Sequence, residues 1–125
     1  MTDFEPHGGV VLFVCPHGAG KSRIAEALFN AAAPPGWSAT TAGIEPQDQV
    51  SVHAPRLLAG TSAETHLDIG LPRPLSAVVD PARTIAIDCE LDGAEPWELQ
   101  QAVFDEAMRE EISERVGTLI SRLGA

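Results

Sequence analysis

The run from Val10 to Phe29, VVLFVCPHGAGKSRIAEALF, constrains the fold of this 125-residue chain more than any other stretch. Apolar, mostly β-favouring residues from Val10 to Val14 lead straight into Cys15, then into small residues, then into a helix-period pattern, which reads as strand, tight loop, helix. Cys15 therefore ends a strand. In an open α/β sheet ligands bind at the carboxyl edge, and a loop entering a helix there aims backbone N–H groups and a positive dipole end at one spot. Such a spot suits an oxyanion. The same field favours a thiolate, which makes Cys15 a usable nucleophile near neutral pH.

In chain order, residues 1–9 read as a frayed lead-in to a single domain spanning 1–125. Val10–Val14 is the first, central strand, and Ser22–Ala33 the first helix, with Ile24, Ala25, Leu28, Phe29 and Ala32 on one face. Pro34-Pro35-Gly36 stops that helix. Trp37–Thr41 is a second strand ending at Ala42-Gly43, followed by a polar connection over Glu45–Val50 and a short helix over His53–Ala59. Ala63–Asp68 carries a weaker helical signal, and Leu71–Pro74 is a rigid connection. Val78-Val79 fits either a strand or a helix end; Thr84–Asp88 is a buried strand, and Leu91–Pro96 a loop. From Leu99 to Leu123 apolar residues recur at three- and four-residue steps, which predicts one long amphipathic helix. Strands alternating with helices argue for a parallel sheet covered on both faces.

The formal charge of −10 makes nucleic acid and anionic membrane surfaces poor partners. No apolar run approaches the ~20 residues of a membrane span, and the first residues lack a basic start and an apolar core. A cytoplasmic location is expected. Two cysteines, Cys15 and Cys89, do not make a secreted disulfide framework. Each ends an expected strand, so both sulfurs are placed at one sheet edge; Cys89 is either a small buried residue or a resolving thiol for oxidised Cys15.

Two phosphate-loop patterns each fit in part. Gly20-Lys21-Ser22 supplies the end of a Walker A loop, but Cys15 stands where its first glycine belongs. The cysteine-phosphatase loop, Cys, five residues, Arg, Ser, is met by Cys15 and Ser22 with Lys21 at the arginine position.

The wider sequence decides between them. Val11–Cys15, Lys21-Ser22 and Ala25–Asn30 resemble the opening of the low-molecular-weight protein tyrosine phosphatases and the arsenate reductases that share their fold. Thr41-Ala42-Gly43-Ile44-Glu45-Pro46 is similar to that family's Ser-Ala-Gly-Thr strand end. Val52–Pro55, Asp68-Ile69, Pro72–Leu75 and Thr84–Cys89 follow in the order of its later segments, so that the resemblance runs from about residue 10 to 123. The loop is nearest the arsenate-reductase-like branch, whose His-Asn-Ala-Gly-Arg-Ser stands against His17-Gly18-Ala19-Gly20-Lys21-Ser22.

The resemblance implies a three-layer α/β sandwich with a four-stranded parallel sheet in flavodoxin-like order and the phosphate loop after the first strand. The fourth strand is implied by it alone. It further implies an oxyanion set of Cys15, His17, Gly18, Ala19, Gly20, Lys21 and Ser22, with Cys15, Ser22 and Lys21 in catalytic roles. The expected activity is phosphomonoester hydrolysis through a cysteinyl-phosphate intermediate, without cofactor or metal. Phosphate, or a similar oxyanion such as arsenate or sulfate, is the expected ligand, carried on a phosphorylated protein or small molecule. Ser22 either donates to the thiolate or caps helix N–H groups. His17 sits at the pocket as a rim residue or a catalyst.

Three departures from the family pattern lower the expected rate. Lys21, the only lysine in the chain, offers a point charge where an arginine fork would bind two phosphoryl oxygens; Arg23 is expected to point outward and not to replace it. Gly18 replaces an asparagine that braces the loop, so a looser loop is expected. The only Asp-Pro pair, Asp80-Pro81, lies in the wrong segment for the family's general acid, and no carboxylate stands near Gln101; Asp92, Glu95 or Glu98 could substitute only by folding inward. Loss of a general acid costs about 10²–10⁴-fold, least for leaving groups of low pKa. Two alternatives stand beside the phosphatase: an arsenate reductase with Cys89 or an external thiol in relay, and a catalytically impaired oxyanion-binding or interaction module. A degenerate nucleotide-binding loop is a distant fourth.

Overall fold

A computed structural model describes residues 8–47 and 51–123; the expected lead-in over 1–7 and the end of the polar connection lie outside the described residues. The elements are β1 (Gly9–Cys15), α1 (Lys21–Ala32), β2 (Trp37–Gly43), α2 (His53–Leu58), 3-10 turns at Glu64–His66 and Leu75–Ala77, β3 (Arg83–Ile87), β4 (Glu95–Trp97) and α3 (Glu106–Leu123). The four strands form one parallel sheet in the order β2-β1-β3-β4. β1 lies inside the sheet because its residues are apolar on both sides: Val11, Phe13 and Val14 are all fully buried.

Alternation along β1 divides the core. Val11, Phe13 and Cys15 face α1, α2 and α3, whose Ile24, Phe29, Leu58, Ile112 and Leu119 complete the larger cluster. The Phe13 ring packs 6.1 Å from Phe29 and 5.6 Å from Trp97, centroid to centroid. Leu12, Val14 and Ala42 face the other way and are covered by Leu75, Val78, Cys89 and Leu91. The third layer is therefore a 3-10 turn and connecting chain, not a long helix. No helix among the described residues is long and apolar enough to cross a membrane.

Two element boundaries differ from expectation. The last helix starts at Glu106, not Leu99, because Asp105 caps it, accepting from the Met108 amide at 3.1 Å. The preceding segment is held out of the helix: Leu99 N–H donates to Asp88 Oδ1 at 2.9 Å, and the Gln100 and Gln101 amides donate to Glu111. The apolar spacing of Leu99 and Val103 continues the helical period without belonging to the helix. The expected Leu91–Pro96 loop ends early, since Glu95 and Pro96 pair with Ile85 and Ala86 in β4. As a short strand at the sheet edge, β4 tolerates a proline.

Candidate active site

The loop joining β1 to α1 is tied down carbonyl by carbonyl. Cys15 C=O accepts from Ile44 N–H (3.3 Å), Pro16 from Glu45 (2.8 Å), His17 from Gln47 (3.2 Å), Ala19 from Ser51 (3.0 Å) and Gly20 from Ile24 (3.0 Å). The remaining carbonyl, of Gly18, accepts from the Arg23 side chain through Nε at 3.0 Å. Every carbonyl from Cys15 to Gly20 is thus spent, while among the described residues the amides of His17 to Ser22 donate to no protein acceptor. Consecutive unspent N–H groups at a helix start form an anion-binding nest.

Glycine is required where this loop meets β2. Gly18 has φ +66, and a Cβ there would lie 2.7 Å from the Gly43 nitrogen; a Cβ on Gly43 would in turn lie 2.5 Å from the His17 carbonyl carbon. With no side chain at Gly18 to brace it, the loop is held by this close approach and by the six carbonyl bonds.

Cys15 is 3% exposed, and its Sγ lies 3.2 Å from Ser22 Oγ. Helix α1 has no side-chain cap, so the Ser22 hydroxyl serves the sulfur and not a backbone N–H. Lys21 lines the same pocket, but its Nζ donates to Asp88 Oδ2 at 2.6 Å. Asp88 follows β3 with φ +53, and its carboxylate reaches Lys21 across the sheet edge. His17 lies on the rim, its Nδ1 3.2 Å from the Glu45 carbonyl.

Arg23 corrects the reading of it as an outward residue. It is fully buried under the loop, where Nε donates to Gly18 C=O and Nη1 to Asp68 C=O at 2.6 Å. Asp68 accepts from Arg73 Nη2 at 2.8 Å, and Arg73 Nη1 reaches the Thr41 carbonyl at 3.0 Å. Burial pushes the Asp68 carboxyl up, but the hydrogen bonds from Arg73 and the Gly70 amide and the two guanidinium charges outweigh it and hold it low. Arg23 Nη2 and Glu26 Oε1 are buried without a partner among the described residues. Burial, with Asp68 adding to it, pushes the Glu26 carboxyl up to about 7 against the pull of Arg23 and Arg73.

A cavity of about 290 Å³ opens over the loop, lined by Cys15, Pro16, His17, Ala19, Gly20, Lys21, Gln47, Ser51, His53 and Phe104. The last four were not anticipated; they come from distant segments that carry no local signature. Phe104 stacks on His53 at 4.6 Å and lies close enough to Gly20 that a Cβ there would sit 3.0 Å from its ring. Arg56 Nη2 donates to His53 Nδ1 at 2.9 Å and to the Phe104 carbonyl at 2.8 Å. Because arginine only donates, His53 Nδ1 is an acceptor and its ring proton sits on Nε2.

No carboxylate lines this cavity among the described residues. Asp92 and Glu98 border a neighbouring groove instead, with Asp88, Cys89 and Glu90, and Glu95 accepts from Trp97 Nε1. Cys89 Sγ lies 3.7 Å from the Val14 carbonyl, one residue from Cys15, but packs on the opposite face of the sheet. Burial raises the Cys89 thiol, and the charges of Cys15 and Asp88 add to the effect.

The chain is similar to the solved structure of an arsenate reductase from Archaeoglobus fulgidus, at 30% identity and TM-score 0.70 over 89% of this chain and 98% of that one. It is also similar to the thioredoxin-dependent arsenate reductase of Corynebacterium glutamicum, at 26% identity and TM-score 0.72 over 92% of this chain and 61% of that one. The low-molecular-weight protein tyrosine phosphatase of T. tengcongensis shares the fold at 22% identity and TM-score 0.64, over 90% of this chain and 98% of that one. No protein-family sequence model and no curated protein matches the chain.

Proposed function

The chain belongs to the superfamily of low-molecular-weight protein tyrosine phosphatases and arsenate reductases, and from that premise we propose that it hydrolyses phosphomonoesters through Cys15, at low turnover and with a preference for good leaving groups. The observation that carries this reading is the loop in which every carbonyl from Cys15 to Gly20 is spent while the amides of His17 to Ser22 are not, beside a thiol at the strand end. A phosphoryl group seated on those amides has its equatorial oxygens held as charge develops on them. The Cys15 thiolate attacks phosphorus, the P–S bond forms as the ester P–O bond breaks, and the ester oxygen departs. Water then displaces sulfur, and the Ser22 hydroxyl, 3.2 Å from Sγ, stabilises the thiolate as it leaves.

The limits on rate follow from the same geometry. Among the described residues no carboxylate lines the cavity to protonate the departing oxygen, and the Lys21 ammonium is shared with Asp88. Beyond the loop the wall is made by Gln47, Ser51 and the stacked rings of His53 and Phe104, whose apolar surface suits an aromatic or otherwise flat leaving group.

Cys89 favours a second reading, arsenate reduction. Attack of Cys15 on arsenic(V) would expel water, and attack of the Cys89 thiolate on Cys15 Sγ would then form a disulfide and release arsenic(III), with an external thiol needed to reduce the disulfide. The two sulfurs lie on opposite faces of the sheet, so this route requires the chain after β3 to move.

Hydrolysis of an activated aryl phosphate by the purified protein tests the first reading, beside Cys15→Ser and Lys21→Arg. Turnover lost in Cys15→Ser and raised in Lys21→Arg is expected. No turnover above the Cys15→Ser background, with arsenate reduced when a thiol is supplied and Cys89→Ser abolishing that reduction, would transfer the assignment to the reductase.

A further inference from the structure

Resting on the reading of the Cys15 loop as an oxyanion site, we propose that Arg23 is the positioning residue of that loop: its buried guanidinium holds the Gly18 carbonyl away from the cavity and so keeps the loop amides turned toward a bound anion. Among the described residues the Gly18 carbonyl is the one loop carbonyl bound by a side chain; the other five accept from backbone amides, four from the chain after β2 and one from α1. It also belongs to the loop residue with the left-handed backbone, φ +66. Turning that peptide over would spoil the run of converging amides at its centre. Arg23 Nε, at 3.0 Å, prevents it.

The guanidinium is in turn held by groups that do not touch the cavity. Nη1 donates to the Asp68 carbonyl and lies 3.5 Å from its carboxylate, which also binds Arg73. Arg73 bonds to the Thr41 carbonyl, and its own carbonyl accepts from the Gly43 amide, where β2 meets the loop. Loop, Asp68 segment and β2 end thus form one strut whose centre is Arg23. The Lys21 ammonium, on the cavity side, is committed to Asp88, so the loop itself is braced by the buried guanidinium.

The test uses the full chain carrying Cys89→Ser, so that one thiol reacts, with calorimetric titration of inorganic phosphate and the rate of iodoacetamide alkylation near neutral pH as readouts. Circular dichroism and thermal melting establish that each variant is folded. Arg23→Gln should weaken phosphate binding and slow Cys15 alkylation by about tenfold each, the loss of a charge-assisted bond. Arg23→Lys returns the charge without the fork, and phosphate affinity should stay low because an ammonium cannot bridge Gly18 and Asp68 in the same way. Should Arg23→Gln fail to fold, Arg23→Lys and Asp68→Asn decide, and each should weaken phosphate binding. Folded variants with the parent's affinity and alkylation rate would overturn the role of Arg23. A parent protein that binds no phosphate, and whose Cys15 phosphate does not protect from alkylation, would instead overturn the oxyanion reading itself.

Discussion

Lys21 Nζ lies 2.6 Å from Asp88 Oδ2, so the only lysine of the chain is engaged across the sheet edge before any ligand arrives. Both side chains are about one-fifth exposed, which places the pair between a screened surface bridge and a buried one. A bound oxyanion must compete with Asp88 for the ammonium. Asp88→Asn keeps an acceptor for the Leu99 amide and suits the positive φ, yet frees Lys21. Phosphate affinity should rise by about fivefold, roughly 1 kcal/mol, and the gain should vanish in a Lys21→Gln background. Calorimetric titration of the two single variants and the double variant measures both effects.

Glu26 sets a pH dependence of stability. Its carboxyl is raised from 4.5 to about 7 in the folded chain, chiefly by burial. Between those values the unfolded chain has released the proton that the folded chain still holds, so stability falls as pH rises, with the loss complete above about pH 7. A shift of this size corresponds to roughly 3 kcal/mol. Glu26→Gln, which does not titrate, should therefore gain on the parent by that order between about pH 4.5 and pH 8. Urea unfolding across this range is the check, and parallel curves would contradict it.

Gly18→Ala should damage both stability and binding. A methyl group at φ +66 meets the Gly43 nitrogen at 2.7 Å, with no flexible side chain to give way. The expected cost is about 2–3 kcal/mol in stability, accompanied by loss of phosphate protection of Cys15 against alkylation.

The absence of a carboxylate from the cavity lining among the described residues predicts a steep leaving-group dependence. Across a series of aryl phosphates, kcat/KM should fall strongly as the leaving phenol becomes more basic. A flat series would mean that a donor protonates the departing oxygen, and His53, an imidazole among the residues that line the cavity, would be the first group to substitute.

The strand, loop and first helix were legible because their signals are local: an apolar run, small residues and a helical period within one stretch of sequence. Cys15 and Ser22, seven positions apart, meet as that stretch implies. What was not legible depends on distant partners. Arg23 looks like an exposed helix residue until Asp68, 45 positions on, provides the carbonyl that lets it be buried. Lys21 is diverted by Asp88, 67 positions on, and the cavity wall of His53 and Phe104 comes from two further segments. The late helix start is a conflict between period and capping: the apolar spacing reaches back to Leu99, but Asp105 caps at Met108 and Glu111 holds the Gln100 and Gln101 amides out of the helix.

The most direct measurement is rapid-quench mass spectrometry of the protein mixed with an activated aryl phosphate, followed by proteolysis. A phosphoryl adduct on the Cys15 peptide that forms and decays at the turnover rate, and is absent from Cys15→Ser, is the predicted result. Turnover that proceeds with no adduct at Cys15, or survives in Cys15→Ser, would contradict the account.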